Sequence, residues 1–175
     1  LAARGHRGMV LVAGPRDWCR ECAGDLLQAL PAPADQWLWL GAGAPAGVTV
    51  LPASAAERVL GSEQVGVVFD GWQGLNPDAV GALSGTIRAG GLLLLLMPVP
   101  AVWGEFDDPF KRLLTVAGHA PGEVGSRWLG RLRRCLKDDD SVLWVEPAGI
   151  TGGSLPAVAT KVPAGPVSNP DCLTE

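Results

Sequence analysis

The stretch QVGVVFDGWQGLNPDAVGALSGTIRAGGLLLLLMP, residues 64–98, decides the fold because it predicts a strand, a helix and a second strand in direct succession. Its two apolar runs, residues 65–69 and 92–97, stop at Asp70 and Pro98 and have the near-continuous hydrophobicity of parallel strands buried on both faces. We therefore expect both runs to be central strands of a parallel sheet, joined by a right-handed crossover.

The middle of this stretch predicts the helix that joins the two strands. Asn76 is placed to cap the helix, and Pro77 suits its first turn. Apolar side chains recur at helical spacing, at Val80, Leu83 and Ile87. The glycine pair at 90–91 should end the helix before the second strand begins.

The preceding part of the chain alternates strands and helices. Residues 9–13 predict a buried strand, and a Gly-Pro-Arg turn leads into a helix that begins near Asp17, which is suited to be its N-cap. That helix should direct its less polar side chains inward, at Cys22, Leu26, Leu27 and Leu30. Residues 36–40, QWLWL, predict a strand of alternating polarity and bulk, residues 48–51 a short strand, and residues 53–60 a two-turn helix.

The regular alternation stops after Pro98. Residues 99–125 predict a long excursion with one short helix. Ser126 then caps a helix, RWLGRLRRCL, and residues 141–146 predict the last strand. From Pro147 onward the chain lacks periodicity and is dense in Gly and Pro, which predicts a linker.

Together these elements predict an α/β fold of Rossmann-like type, a doubly wound, mainly parallel sheet with helices on both faces. A chain of 175 residues is long enough for one such domain and a tail. We expect the domain to occupy residues 1–146 and an irregular Pro/Gly-rich linker to occupy residues 147–175.

The composition narrows the class of protein. The net charge of −4 argues against a domain that grips nucleic acid over most of its surface, although a local basic patch is compatible with it. The absence of an apolar run long enough for a bilayer, and of a secretory cleavage pattern, predicts a cytoplasmic protein without a membrane partner. Four cysteines in a chain of this length do not form a disulfide framework.

The segment Trp18-Cys19-Arg20-Glu21-Cys22 has the placement of a redox pair, after a buried strand and at a helix N-terminus. In a thioredoxin-like protein the helix start would lower the pKa of Cys19 and favour a thiolate. That fold also needs a proline loop just before a later strand, and the prolines here follow strands or end helices instead. Two small, mostly buried helix residues are therefore the favoured interpretation.

The strand that ends at Asp70 resembles the metal-side strand of a P-loop nucleotidase. Such chemistry also requires a glycine-rich phosphate loop, and the turns AGPRD and GAGAPAG contain neither GxxxxGK[ST] nor a GxGxxG. We therefore interpret Asp70 as a turn-capping carboxylate at the carboxyl edge of the sheet. Because doubly wound folds bind ligands at that edge, a small-ligand pocket remains the alternative.

Other familiar catalytic patterns are missing from the sequence. His6 and His119 are far apart and have few potential ligands nearby, which argues against a metal site. Ser84 lies within a predicted helix and outside any GxSxG pattern, which argues against an acyl-enzyme. We therefore assign no catalytic, cofactor-binding or metal-binding residue.

The helix after Ser126 has an apolar face and a cationic face. Its outward cations are Arg127, Arg131, Arg133, Arg134 and Lys137, and its inward side chains are Trp128, Leu129, Leu132 and Leu136. The cations could contact phosphates. A solvated basic face, neutralised by the aspartates at 138–140, is the more common explanation.

Taken together, several segments resemble the N-terminal domain of the bacterial tRNA(Met) cytidine acetyltransferases. The resemblance covers about residues 4–146, in the same order. The segments are RGMVLVAGPRDWC, LLQALP followed by QWLWLG, ERVLGSE, VVFDGWQGLNPDAVGALSGTIRAGGLLLLLMP, RLRRCL and VLWVE. The run FD…G…ALSGT…AGG is the most specific of them. Residues 99–125 and Cys22 depart from the family pattern.

The resemblance implies a parent enzyme that acetylates N4 of the wobble cytidine of elongator tRNA(Met), with acetyl-CoA, ATP and Mg as cofactors. In that family the domain precedes a helicase-like ATPase module, an acetyltransferase domain and a tRNA-binding tail, and SNPDCLTE resembles the segment before the ATPase module. The expected roles are scaffolding of the ATPase module and assistance in tRNA docking. The candidate tRNA contacts are Arg127, Arg131, Arg134 and Lys137.

Two other classes of function stay open on the sequence alone. One is a thioredoxin-like thiol oxidoreductase that uses Cys19 and Cys22. The other is a stand-alone α/β domain that binds a small ligand near Asp70.

Overall fold

The computed structural model describes residues 5–153. Its strands are β1 Gly8–Ala13, β2 Trp37–Leu40, β3 Thr49–Leu51, β4 Gln64–Asp70, β5 Ile87–Met97, β6 Leu143–Glu146 and β7 Gly149–Gly152. Its α-helices are α1 Arg16–Ala29, α2 Pro77–Thr86, α3 Lys111–Leu114 and α4 Arg127–Lys137. None of the helices in this part of the chain is long and apolar enough to cross a bilayer.

The strands form one seven-stranded sheet in the order β3-β2-β4-β5-β1-β6-β7. All neighbours pair in parallel except β6 and β7, which pair antiparallel. The two apolar runs of the central stretch form β4 and β5, which are adjacent and lie third and fourth in the sheet. The predicted parallel pair of central strands is therefore confirmed.

Side chains of successive strand residues enter two separate hydrophobic clusters. We call the side of the sheet that carries Leu11 and Leu95 face A, and the side that carries Val10 and Leu94 face B. Helices α2 and α4 pack on face A, and α1 packs on face B. Helices on both faces confirm the predicted doubly wound, Rossmann-like α/β fold.

The strand predicted at 36–40 is β2, which begins one residue later, at Trp37. All four of its residues are buried, because loops and α1 cover face B while α2 and a 3₁₀ helix, Ala53–Val59, cover face A. The two-turn helix predicted at 53–60 is a 3₁₀ helix over Ala53–Val59.

The crossover helix begins as predicted and ends earlier. Asn76 Oδ1 accepts hydrogen bonds from the backbone N–H groups of Asp78 (2.9 Å) and Ala79 (3.4 Å), and Pro77 is the first helical residue. The helix ends at Thr86, so the prediction that Ile87 belongs to it is wrong.

The glycine pair at 90–91 lies inside β5 instead of ending the helix. The pairing of β5 with β4 shifts register between Gln64 and Gly66, which accommodates the irregular backbone here. Gly90 has φ +82°, and a side chain on Gly91 would collide with the Val65 carbonyl. Glycine is thus required by the strand bulge, which explains the misassignment.

Helix α1 also begins differently from the prediction. Its N-cap is Pro15, which makes no side-chain capping bond, and Asp17 lies exposed in the first turn. The prediction of Asp17 as N-cap is therefore wrong. Leu27 is buried as predicted, whereas Cys22, Leu26 and Leu30 are only half-buried along the flank of the helix.

The strand predicted at 141–146 is present as β6, but the prediction that it is the last strand is wrong, because β7 follows it in the described chain. The chain turns at Pro147 and Gly149, which has φ +146°, and GITG then pairs along β6. Four residues with two glycines are too short and too polar to predict an edge strand from periodicity. The rest of the predicted linker, residues 154–175, lies outside the described residues, and the division at residue 146 stays a prediction.

The excursion after β5 contains the one short α-helix that was predicted, α3, and is fastened to the domain by Asp108. The Asp108 side chain is buried, and its Oδ1 accepts 3.0 Å hydrogen bonds from the N–H groups of Leu75 and Phe110. Trp103 is also buried and donates from Nε1 to the Pro98 carbonyl at 2.7 Å. The excursion is therefore tied to the loop between β4 and α2.

We predict that Asp108→Ala lowers the free energy of unfolding by about 2–4 kcal/mol, because two inward N–H groups lose their acceptor. Asp108→Asn keeps an acceptor oxygen and should cost less than about 1 kcal/mol near neutral pH. Urea unfolding of both variants measures the difference. Equal destabilisation by Ala and Asn would contradict the role of the acceptor.

Burial raises the pKa of Asp108, and the N–H groups of Phe110 and Leu75 partly offset that rise. A raised pKa in the folded state means that this carboxyl contributes stability at low pH, and that the contribution is lost as the pH rises through the folded pKa. The wild type should therefore gain stability relative to Asp108→Asn when the pH falls from about 7 to about 4.

Candidate functional site

The carboxyl ends of β2 and β4 meet at Asp70, whose side chain is buried. Its Oδ1 accepts a 3.2 Å hydrogen bond from the N–H of Trp72, which confirms the predicted capping role. Its Oδ2 accepts from Arg20 Nε at 3.0 Å and from Nη2 at 2.6 Å. The Arg20 side chain is 18% exposed, so this ion pair is largely shielded from water.

Other groups complete a small polar network around this ion pair. With its amide oriented to satisfy both neighbours, Gln73 accepts from the Ala42 N–H at 2.8 Å and from Arg20 Nη2 at 3.3 Å. A side chain on Gly41, which has φ +127°, would lie 2.5 Å from Asp70 Cβ. The network therefore fills the space where β2 and β4 end.

A second potential ligand crevice lies between β1 and β5, where the chain leaves the sheet toward opposite faces. The Gly14 N–H donates to the Met97 carbonyl at 3.0 Å, which closes the backbone across this point. The ring of Trp18 covers Gly14, since a Cβ there would lie 2.6 Å from Trp18 Cε3. Both crevices are thus occupied by the protein's own side chains.

The Arg20–Asp70 pair has a structural task. Removing one partner of such a buried pair leaves an uncompensated charge and typically costs about 3–5 kcal/mol. The pair joins α1 to the end of β4 across 50 residues of sequence. Sequence reasoning missed Arg20, because its partner depends on strand order.

Cys19 and Cys22 do not form a reactive pair. Cys19 is completely buried, and its Sγ lies 3.4 Å from the carbonyl oxygens of Val12 and Gly14. Burial raises the pKa of Cys19 to about 11, although the Trp72 side chain and the Gly14 backbone partly offset the rise. A thioredoxin-like site would need a lowered pKa at Cys19, so the favoured interpretation of Cys19 as a buried helix residue is confirmed.

The pKa of Cys22 is raised as well, first by burial and then by the neighbouring Asp25 carboxylate. Its side chain is half-buried on the flank of α1. Since the thiolate is the nucleophile in thiol exchange, two raised pKa values argue against the oxidoreductase alternative.

The remaining sequence candidates lie on the surface and are not brought together. His6 is exposed, and His119 Nδ1 lies 2.7 Å from Glu123 Oε2. Ser84 donates to the Gly81 carbonyl within α2 at 2.8 Å. Within residues 5–153, no group of three or more His, Cys, Asp or Glu side chains is arranged to hold a metal ion.

The cations of α4 form the most prominent charged surface that the sequence predicted. All five are exposed, and none lies within 4.0 Å of a carboxylate in the described part of the chain. The aspartates at 138–140 therefore do not neutralise them by direct pairing. Asp139 instead accepts a 2.9 Å hydrogen bond from the N–H of Ser141, and its pKa is lowered by the Ser141 hydroxyl and N–H.

The basic residues occupy two flanks of α4. Arg127, Arg131 and Arg134 follow a helical spacing that places them on one outward stripe. Arg133 and Lys137 instead line a groove of about 470 Å³ between α4 and the β6–β7 hairpin. Of the four candidate tRNA contacts, Lys137 thus lies away from the stripe formed by the other three.

Comparison with known proteins identifies close relatives. A family model described as tRNA(Met) cytidine acetyltransferase TmcA, N-terminal, matches residues 1–147. The chain is 38% identical over 162 residues to the tRNA(Met) cytidine acetyltransferase TmcA of Nitrosococcus halophilus. It is 36% identical over 166 residues to that of Yersinia pestis and 28% identical over 144 residues to that of Haloferax volcanii.

The first two alignments cover 93% and 92% of this chain and only 21% and 22% of the relatives. The chain therefore spans about a fifth of the length of the relatives it matches.

We predict that Cys19 does not react with thiol reagents in the native protein, because a pKa of about 11 leaves only ~0.1% thiolate near pH 8. Among the three cysteines of residues 5–153, Cys135, which is exposed on α4, should react first. Peptide mapping after brief labelling, with and without denaturant, distinguishes the two thiols. Rapid native labelling of Cys19, or insulin reduction that Cys19→Ser abolishes, would revive the redox alternative.

Proposed function

Because this chain belongs to the family of the N-terminal domain of tRNA(Met) cytidine acetyltransferase TmcA, we propose that it is the non-catalytic N-terminal domain of a tRNA acetyltransferase. The proposed parent reaction is transfer of an acetyl group from acetyl-CoA to N4 of the wobble cytidine of elongator tRNA(Met), with ATP hydrolysis. The observation that carries the proposal is the family match, which spans residues 1–147.

The proposed role of the domain is to scaffold the helicase-like ATPase module, beside an acetyltransferase domain of the same parent chain, in the cytoplasm. Acetyl-CoA, ATP and Mg belong to those modules in this proposal. The filled crevices at the carboxyl edge support a non-catalytic role, because Arg20, Asp70 and Trp18 occupy the positions where doubly wound folds bind ligands.

A surface suited to such scaffolding lies on the excursion after β5. Leu113, Leu114 and Val116 are 79%, 51% and 66% exposed within four positions of the chain. Neighbouring exposed aliphatic side chains are typical of surfaces that contact another protein body. This local surface supports a contact with a neighbouring module.

The second part of the proposal is that the α4 stripe of Arg127, Arg131 and Arg134 assists tRNA docking. The three guanidinium groups are exposed and free of ion pairs within the described residues. A few cations on a domain with a net charge of −4 can supply only a weak, nonspecific phosphate interaction. The stripe would therefore guide tRNA, while other modules select it.

We predict that the purified 175-residue chain neither hydrolyses ATP nor acetylates tRNA, and that calorimetry detects no binding of ATP or acetyl-CoA. A chimera that carries this chain in place of the N-terminal fifth of the Nitrosococcus halophilus enzyme should acetylate tRNA(Met) and hydrolyse ATP. The matched control is the same enzyme with that fifth deleted. ATP hydrolysis by the chain alone that persists through repurification would overturn the assignment.

We predict that Arg131→Glu/Arg134→Glu weakens tRNA binding and lowers the slope of log affinity against log salt by about 2, because two phosphate contacts are lost. Filter binding in the chimera at several salt concentrations measures both quantities. Arg58→Glu/Arg88→Glu is the matched control, since it changes net charge equally at two exposed arginines elsewhere. If both double variants change tRNA affinity equally, or neither changes it, the stripe has no role in docking and only the scaffold role is left.

A further inference from the structure

The two faces of the sheet are covered unequally in the described part of the chain. Face A carries α2, α4 and the buried Trp103. Face B carries α1 as its only helix, with loop residues such as Ala44 and Val48 over the β2 side. The part of face B beyond α1, toward β6 and β7, carries no helix of its own among residues 5–153.

An apolar groove runs along this strip beside α1, and we call it the face B groove. It consists of two cavities of about 290 Å³ and 460 Å³ that share Leu26 and Leu143. Val10, Leu94 and Val145 line its buried floor, Leu26 and Leu143 are half-buried on its walls, and Ile150 is exposed. Doubly wound folds cover each face of the sheet with a layer of helices or other segments. Over the described residues, the layer on face B contains α1 and lacks a second segment at the groove.

The chain itself leads into the face B groove at its last described residue. Gly153 lines the groove and is anchored there, because its N–H donates to the Val142 carbonyl at 3.0 Å. The residues that follow, Ser154-Leu155-Pro156-Ala157-Val158-Ala159, are uncharged and largely apolar. Two residues of extended chain span at most about 7 Å, so the groove is within reach of a side chain at position 155.

Charge supports the same match farther along the chain. The rim of the groove beside α1 carries the carboxylates of Glu21 and Asp25. The first charged residue after Gly153 is Lys161, eight positions on, which is at most about 28 Å of extended chain. A cation at that distance can reach an acidic rim at the far end of the groove.

We propose that the face B groove binds residues 154–162, SLPAVATKV, of this same chain. Leu155 and Val158 fill the apolar floor, and Lys161 lies at the acidic rim. Tethering at Gly153 gives the segment an effective concentration in the millimolar range, which favours it over a second copy or another protein. The segment thereby completes the layer that α1 begins.

Cys22 provides a native reporter for this contact, because it lines the groove and is half-buried. A bound segment should shield its thiol from iodoacetamide. Cys135 lies exposed on α4 on the other side of the sheet and serves as the internal reference. Mass spectrometry of the two peptides after timed alkylation measures the rate ratio of Cys22 to Cys135 in the full 175-residue chain.

We expect Leu155→Asp/Val158→Asp to raise this ratio about tenfold. That factor corresponds to a loss of ~1.4 kcal/mol in the free energy with which the segment binds the groove. The matched control Val167→Asp/Leu173→Asp places the same two changes beyond the segment and should leave the ratio unchanged. Lys161→Glu should raise it by a smaller factor that disappears at high salt.

An unchanged ratio in the first variant overturns the proposal, as does an equal rise in the control. Protection of Cys22 that grows with protein concentration also overturns it and assigns the groove to a second copy. Circular dichroism of each variant checks that the sheet is intact, so a general loosening of the fold is recognised by a parallel rise in Cys19 labelling.

Discussion

The parallel pairing of β5 with β4 on one side and β1 on the other is the constraint on which the rest of the structure depends. In its register Val68, Leu94 and Val10 lie side by side on face B, while their neighbours face the opposite side. Because both faces of these strands are buried, each connection must carry a covering element across the sheet. The alternation of α1 and α2 between the faces follows from that need.

The local elements were predictable where a single interaction along the chain decides them. The apolar runs of β4 and β5, the Asn76 cap and the two-faced α4 belong to this group. Prediction failed where pairing with a distant strand decides the state of a residue. Ile87 fits both a helix face and a buried strand, and only the register with Gln64 selects the strand. Strand β7 likewise forms because its backbone pairs with the free edge of β6.

The carboxyl edge was less predictable than the fold. The capping role of Asp70 follows from its place after a strand, whereas its contact with Arg20 requires knowing that β2, β4 and β1 share one sheet with α1 on face B.

The pKa of Cys19 shows a competition between two effects. A helix start favours a thiolate by a modest amount, and complete burial outweighs it.

The antiparallel β6–β7 hairpin also sets the direction in which the chain leaves the domain. A chain that ended its sheet with β6 would depart from the carboxyl edge, where the excursion also begins. One short hairpin reverses that polarity and delivers Gly153 to the amino edge, near Val142 and Gly8. Four residues of β7 thus decide at which edge of the sheet the described chain ends.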